Sequence, residues 1–274
     1  MTIEQWLNEA ALELKDAKIG SARLDAELIL AHTVRKPRTY LHAHSDDILS
    51  ERHEDIANAR LELRLAHTPV AYIIGHKEFY GRQFKTTPAA LIPRPESEAI
   101  INQLREIIPA NTSLLPERLH LVDVGTGTGC LGITAKLEWP ELDVTLTDID
   151  KYALNLAKEN AEKLDADVHF VKANLLHGYA LPIDILVANL PYVDRTWDVS
   201  PETHTEPEQA LYAADDGLAL IKKLIHQASS LLHTGGHVLL ESDVRQHEAI
   251  IALAKDQGFK HVQTEGLITR FSRT

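Results

Sequence analysis

The end of one buried-strand pattern carries side chains that could orient a reacting nitrogen. Four apolar residues, 185–188, lead into Asn189, Leu190, Pro191 and Tyr192. Proline lacks an N–H and resists helix, so the chain stays extended or turns there and displays these side chains at the strand's carboxyl end. The Asn189 side-chain oxygen and the Leu190 carbonyl can both accept hydrogen bonds from one planar amino group, on which Tyr192 can stack. A Pro-terminated strand with a buried aromatic ring is the alternative, but it requires no Asn.

A glycine-rich segment follows an earlier strand pattern and precedes a helical one. Its sequence is DVGTGTGCLG, residues 123–132. The match to G-x-G-x-x-G is weak alone and stronger in this strand-to-helix context, where glycines let the backbone approach a ligand and helix N–H groups are free. A tight turn without a ligand is the alternative, but it needs fewer glycines. The candidate ligand-binding residues of this loop are Asp123, Gly125, Thr126, Gly127, Thr128 and Gly129.

Charge near the glycine loop selects among nucleoside ligands. Asp123 stands two residues before Gly125, where it would repel a pyrophosphate but attract a sulfonium that carries an α-ammonium group. Asp148 lies about 20 residues beyond the loop, where an acidic residue accepts hydrogen bonds from ribose hydroxyls. Asn174 and Leu175 follow the third strand pattern and can hold an adenine. S-adenosylmethionine therefore fits these positions better than a nicotinamide dinucleotide does.

The elements that must position these motifs alternate between strands and helices from His120 onward. Amphipathic helix patterns separate or follow five buried-strand patterns, LHLVDVG, DVTLTDI, DVHFVKA, IDILVAN and GHVLLES. The last two strand segments, KHVQTE and LITRFSR, are joined only by a turn, so they predict an antiparallel pair. This order predicts an α/β fold with a doubly wound, mostly parallel seven-stranded sheet of the Rossmann-like type. In such sheets ligands bind at the carboxyl ends of the strands.

The rest of the chain shows different patterns. Apolar residues recur at helical spacing from Thr2 to about Ala66, which predicts a small helical bundle. Residues 70–91 are rich in Tyr, Phe, Ile and Gly and predict a hairpin, and PANTSLLPER, residues 109–118, predicts a loop leading into the α/β domain. The expected regions are a helical domain at 1–68, a linking β-hairpin at 69–92 and a ligand-binding domain at 93–274.

Composition argues against several function classes. Lys and Arg total 28 against 40 Asp and Glu, and the net charge of −12 disfavours phosphate-backbone binding as the main source of affinity. Cys130 is the only cysteine, and the 15 histidines show no metal-binding motif, so we expect neither a disulfide nor a metal site. The sequence lacks a secretory leader pattern and any run approaching about 18 apolar residues, so we expect a cytoplasmic protein without a membrane partner.

Together these motifs resemble a known family. The glycine loop, the acidic strand end and N-x-P-Y resemble class I methyltransferases that act on planar nitrogens of adenine, cytosine or glutamine. PVAYIIGHKEFYGRQF, LIPRPESE and EPEQALYAADDGL resemble segments of HemK-like release-factor glutamine methyltransferases, and LIPRPESE is far more specific than the glycine loop. The likeness covers nearly the whole chain. It implies methyl transfer from S-adenosylmethionine to a glutamine side-chain nitrogen, in the GGQ motif of peptide-chain release factors, with the helical domain recognising the partner.

Two positions depart from the family pattern. The family usually has Pro where this chain has Leu190, and N-L-P-Y resembles the ribosomal RNA adenine dimethylases; because this position acts through its carbonyl, Leu can serve. Asn174 stands where the family commonly has Asp, so its amide oxygen would bind the adenine amino group without a charge. Arg94 and Glu96 either contact substrate or brace the following helix. Two alternatives stay open, an adenine-N6 methyltransferase acting on RNA or DNA and a non-catalytic nucleoside-binding protein.

Overall fold

The chain folds into two compact units. The computed structural model describes residues 1–108 and 118–274, so the loop predicted at 109–118 lies outside the described residues except for Arg118. The first unit comprises Met1–His76 with Ser200–Thr205, and the second comprises Lys77–Val199 with Glu206–Thr274. Within the described residues, no helix combines the length and apolar character needed to span a membrane.

The first unit is helical, as its apolar spacing predicts. Its helices are α1 (Ile3–Asp16), α2 (Ala22–Val34), α3 (Arg38–Ala43), α4 (Glu51–Leu65) and α5 (Val70–Ile74). The helix α1 starts at a capping box, in which Thr2 and Gln5 each accept a backbone hydrogen bond from the other. Apolar side chains from α1, α2 and α4 share one core that includes Trp6, Leu14, Ile29, Leu30 and Leu61.

The predicted hairpin was wrong in its first part. Residues 70–74 form α5, which follows Pro69 and ends where Gly75 adopts a φ of 77°. Their Val, Tyr and Ile side chains favour strands. In a run this short, however, periodicity cannot distinguish a strand from a helix. The observed hairpin is shorter, with β1 (His76–Phe79) and β2 (Arg82–Lys85) joined at Tyr80 and Gly81. Both central residues have positive φ, 51° and 73°, as a two-residue type I′ turn requires.

The second unit is built on the predicted seven-stranded sheet. Its strands are β3 (His120–Val124), β4 (Asp143–Asp148), β5 (His169–Lys172), β6 (Ile183–Ala188), β7 (Leu232–Glu241), β8 (Phe259–Glu265) and β9 (Ile268–Arg273). They lie in the order β5-β4-β3-β6-β7-β9-β8, parallel except that β9 runs antiparallel to β7 and β8. The helices of this unit are α6 (Glu98–Ile107), α7 (Cys130–Glu138), α8 (Lys151–Leu164), α9 (Ala219–Ala228) and α10 (His247–Asp256). The structure confirms the predicted α/β fold class.

Alternation along the central strands explains why both faces of this sheet are buried. In β6, Ile185 and Val187 belong to one core while Leu186 and Ala188 belong to the other. Successive side chains of a strand point to opposite faces, so a continuous apolar run supplies two cores at once. Because β3 pairs with both β4 and β6, the sheet reverses its winding there, and the chain segments after β3 and β6 leave the sheet side by side.

Candidate active site

A cleft lies beside the carboxyl ends of the central parallel strands. It contains about 760 Å³ of space, open to solvent, and its walls come from the segments after β3, β4, β5 and β6 and from three more distant places, residues 89–91, residues 209–210 and Leu220. The predicted site residues that line it are Gly125, Gly127, Asp148, Asn174, Leu175, Asn189, Leu190 and Pro191. The fold thus brings both sequence motifs to one cavity.

The remaining predicted residues of the glycine loop stand behind the cleft. Asp123 is 1% exposed, and its Oδ2 accepts hydrogen bonds from the Thr126 hydroxyl at 2.6 Å and the Gly132 N–H at 2.9 Å. The Thr128 carbonyl accepts a hydrogen bond from a buried Asn of α8. A Cβ on Gly129 would lie 2.6 Å from a side-chain carbon of α7, so this glycine allows close packing. These residues shape the loop and do not line the cavity.

Burial gives Asp123 unusual electrostatics. Desolvation raises the pKa of its carboxyl to about 6, and the charge of Asp148 acts in the same direction. The hydrogen bonds from Thr126 and Gly132 oppose this rise because they stabilise the ionised form. Asp123 therefore places a costly negative charge directly behind the glycine loop, and a cationic ligand in the cleft would compensate it.

The acidic end of β4 contributes two carboxylates to the cleft. Asp148 accepts hydrogen bonds from the Gly127 N–H at 3.0 Å and the Asp150 N–H at 2.9 Å, and burial raises its pKa. Asp150 caps α8 by accepting from the Tyr152 N–H, and it also lines the cleft and accepts from Gln209 at 2.6 Å. Both carboxylates face a largely apolar cavity, an arrangement that suits a cationic nucleoside.

The segment after β5 supplies an apolar wall and an amide. Leu175 adopts a φ of 57°, a left-handed conformation that is uncommon for leucine, and it lines the cleft. The side-chain oxygen of Asn174 accepts a hydrogen bond from the Lys223 ammonium at 3.2 Å. In the described ranges, 1–108 and 118–274, no three His, Cys, Asp or Glu side chains are grouped to hold a metal ion.

The residues after β6 are held by packing on one side and hydrogen bonds on the other. A Cβ on Gly125 would lie 2.7 Å from the Leu190 side chain, so the glycine leaves the space that this leucine fills. Tyr192 does not line the cleft; its hydroxyl donates to Glu241 at 3.3 Å, and burial raises its pKa. The Asn189 amide donates to Ser97 at 3.0 Å.

Several residues that the sequence analysis did not name also build this site. Glu206 is buried and accepts hydrogen bonds from the Arg94 guanidinium at 2.5 Å and the Ile92 N–H at 3.1 Å. Arg94 therefore braces one family-like segment against another. Gln209 lines the cleft, as do residues 89–91 and 210. Glu206, Gln209 and residues 91 and 210 lie within the family-like segments, but the sequence gave them no individual role. Glu241 gave no signal beyond ending a strand pattern.

Both the helical part and the α/β part of the chain are similar to known proteins. Residues 5–75 match a family described as PrmC N-terminal domain, and residues 104–206 match the methyltransferase small domain. The release factor glutamine methyltransferase of Coxiella burnetii is 35% identical over 92% of this chain and 90% of that protein. The enzymes of the same name from Deinococcus radiodurans and Salmonella typhimurium are each 33% identical, over 95% and 96% of this chain and 92% and 94% of their own lengths.

Solved structures share the fold at lower identity. A methyltransferase from Pyrococcus furiosus aligns with 78% of this chain and 94% of its own, with a TM-score of 0.52 and 20% identity. A 16S rRNA N2 G1207 methyltransferase from T. thermophilus, solved with AdoMet and guanosine, aligns with 73% of this chain and 49% of its own, with a TM-score of 0.55 and 15% identity. At 20% and 15% identity, these two likenesses show the fold alone.

Proposed function

Because this chain belongs to the release factor glutamine methyltransferase family, we propose that it methylates the side-chain nitrogen of a glutamine in the GGQ motif of a peptide-chain release factor. S-adenosylmethionine is the methyl donor. The observation that carries the proposal is the position of Asn189 and Leu190 on the cleft, in a chain that matches these relatives over more than nine-tenths of its length. The relatives do not favour the nucleic-acid or the non-catalytic alternative.

The cleft has suitable groups for each part of the cofactor. The Asp148 carboxylate would accept hydrogen bonds from the ribose hydroxyls, and Asn174 and Leu175 would hold the adenine. The backbone at Gly125 and Gly127 would contact the rest of the cofactor. The negative charge of Asp123 would lie behind this backbone. When bound, the cofactor supplies a methyl group on a cationic sulfur.

The residues after β6 would orient the substrate amide. One hydrogen of its NH2 group would be donated to the Asn189 side-chain oxygen and the other to the Leu190 carbonyl, and the two acceptors together would fix the plane of the amide. Tyr192, whose hydroxyl donates to Glu241, would help to hold the end of β6 in position. An amide nitrogen is a weak nucleophile because its lone pair is delocalised, so positioning must supply much of the rate.

The helical unit is proposed to recognise the partner protein. The residues that would hold cofactor and amide all belong to the second unit, which leaves the first unit without a role in the chemistry. Residues 5–75 match the PrmC N-terminal domain, separately from the match of residues 104–206 to the methyltransferase small domain. The release factor is accordingly the proposed partner, and the net charge of −12 makes a nucleic-acid partner unfavourable.

A parallel methylation assay tests the proposal. The parent and Asn189→Ala are each offered a release factor, the same factor with its GGQ glutamine replaced by alanine, and a structured RNA, with labelled cofactor. We expect label only in the intact release factor, and a loss of roughly 100-fold or more in kcat for Asn189→Ala with little change in cofactor affinity. Asn155→Ala, on the exposed face of α8, is the matched control.

Two results would overturn the proposal. Label in RNA alone would establish the nucleic-acid enzyme instead. Label in no substrate, with S-adenosylhomocysteine still bound, would favour the non-catalytic protein.

A further inference from the structure

A buried chain of hydrogen bonds runs behind Asn189. The Asn189 Nδ2 donates to the Ser97 Oγ at 3.0 Å, and the Ser97 hydroxyl donates to Oε2 of Glu241 at 2.5 Å. The Tyr192 hydroxyl donates to Oε1 of the same carboxylate at 3.3 Å. Ser97 and Glu241 are 2% and 1% exposed, so the connection between them is shielded from solvent. Three separate parts of the second unit meet here, namely the turn Pro95–Ser97 and the ends of β6 and β7.

These hydrogen bonds determine which end of the Asn189 side-chain amide faces the cleft. The oxygen and nitrogen ends of a carboxamide have nearly the same shape, so hydrogen-bond partners set their orientation. An ionised carboxylate only accepts, and a hydroxyl has one hydrogen to donate. Once Ser97 donates to Glu241, its oxygen can only accept from Asn189. The NH2 end of Asn189 must then face Ser97, which turns its oxygen away from Ser97.

Without the carboxylate, the orientation would be undetermined. A hydroxyl that is free to rotate can accept from the NH2 end of an amide or donate to its oxygen. Ser97 alone would therefore satisfy Asn189 in both orientations. The reversed orientation would present an NH2 group to the cleft, where it would meet the NH2 group of an amide substrate as a second donor. Glu241 removes this degeneracy from a position that does not line the cleft.

We propose that Ser97 and Glu241 are positioning residues, which hold the Asn189 carboxamide with its oxygen toward the cleft to accept the hydrogen bond of the substrate NH2 group. The proposal rests on the proposed function, since it requires a substrate that donates from a planar nitrogen. Glu241 acts on the reaction only through Ser97 and Tyr192. Neither Ser97 nor Glu241 touches the substrate.

The pKa of Glu241 is raised above its ordinary value, and the groups around the carboxyl act on it in both directions. Burial raises the pKa of Glu241, whereas the hydrogen bonds from Ser97 and Tyr192 lower it. The neighbouring charge of Glu96 also raises this pKa, and Arg94 lowers it. The two hydroxyl donors and the carboxylate therefore depend on each other, so that loss of either donor weakens the whole arrangement.

Steady-state kinetics on the full-length protein with a release factor test the proposal. Ser97→Ala and Glu241→Gln should each lower kcat by roughly 10- to 100-fold, because the Asn189 amide is no longer held in one orientation. Ser97→Thr keeps the hydroxyl and should stay within about threefold of the parent. Affinity for S-adenosylhomocysteine should change by less than about twofold in all three variants, since none removes a residue of the cleft. Ser230→Ala and Glu265→Gln, at exposed positions, are the matched controls.

A double-mutant cycle separates positioning from general destabilisation. In a chain that already carries Asn189→Ala, adding Ser97→Ala should change kcat by less than about twofold, because the group on which Ser97 acts is gone. The same fold-loss in both backgrounds, or a Ser97→Thr variant as slow as Ser97→Ala, would overturn the proposal. A parent that binds S-adenosylhomocysteine but leaves the release factor unmethylated would instead refute the proposed function, and this inference with it.

Discussion

The buried carboxyl of Asp123 makes a quantitative prediction about stability. In Asp123→Asn the carbonyl oxygen can replace Oδ2 and keep the hydrogen bonds from Thr126 and Gly132, while the charge is lost. Burial raises the pKa of Asp123 from 3.8 to about 6, and at ~1.36 kcal/mol per pKa unit this rise corresponds to about 3 kcal/mol. That amount is the cost of keeping an ionised carboxylate behind the glycine loop.

The sign of the effect follows from linkage. The folded protein holds the Asp123 proton more tightly than the unfolded chain does, so the stability from this group is fully present below the unfolded pKa of about 4. It is lost as the pH rises through about 6. The Asn variant has no such loss. The difference in unfolding free energy, Asn variant minus parent, should therefore be about 1.4 kcal/mol larger at pH 7.5 than at pH 5.

Urea unfolding of both proteins at the two pH values measures this difference. Asp167→Asn, at an exposed site on the same unit, should show no comparable change with pH. The Asn variant should also bind S-adenosylmethionine more weakly at pH 7.5, because the charge that favours a cation is gone. A stability difference between parent and variant that is the same at pH 5 and pH 7.5 would refute the reasoning.

Three further changes test other parts of the structure. Asp148→Ala should weaken S-adenosylhomocysteine binding by ~1.5–3 kcal/mol, since a charged acceptor is lost; unchanged calorimetric affinity would remove Asp148 from the site. Gly217→Ala should lower both kcat and melting temperature, because Gly217 has a φ of 80° and an added Cβ would collide with the Tyr192 carbonyl oxygen, with strain on the order of 1–3 kcal/mol. Parent-like kinetics would contradict this. Arg64→Met should cost ~3–5 kcal/mol of unfolding free energy by leaving the buried Asp25 carboxylate without the guanidinium 2.7 Å away, and adding Asp25→Asn should restore part of it.

The fold was predictable because its signals are local. Each strand of the large sheet contains a continuous or alternating apolar run between turn residues, and the order of strands and helices restricts the topology to few solutions. The prediction for residues 70–74 failed because the local sequence was not enough to distinguish a strand from a helix. Five apolar or aromatic residues fit a strand or a helix equally well, and the choice depends on the core that receives Ile73 and its neighbours.

The residues of the cleft were predictable where they end a strand or belong to the segment that follows it. Asp148 and Asn189 follow strand patterns directly, so the parallel sheet brings them to one edge without knowledge of tertiary contacts. Ser97, Glu206 and Glu241 act through partners 92 to 144 positions away in the chain. Single-sequence patterns carry no information about such pairings, and a Glu that ends a strand looks the same with or without a buried partner.

The departure at Leu190 is compatible with the role proposed for this motif position. The proposed acceptor at this position is the backbone carbonyl, which every residue has. A proline would fix that carbonyl through its restricted φ. Leu190 is 4% exposed and belongs to the core on its side of the sheet, and its side chain fills the space left by the missing Cβ of Gly125. Packing of the Leu190 side chain against the glycine loop therefore restrains the end of β6, as a proline ring would in other members of the family. The leucine at 190 fits only because residue 125 is a glycine.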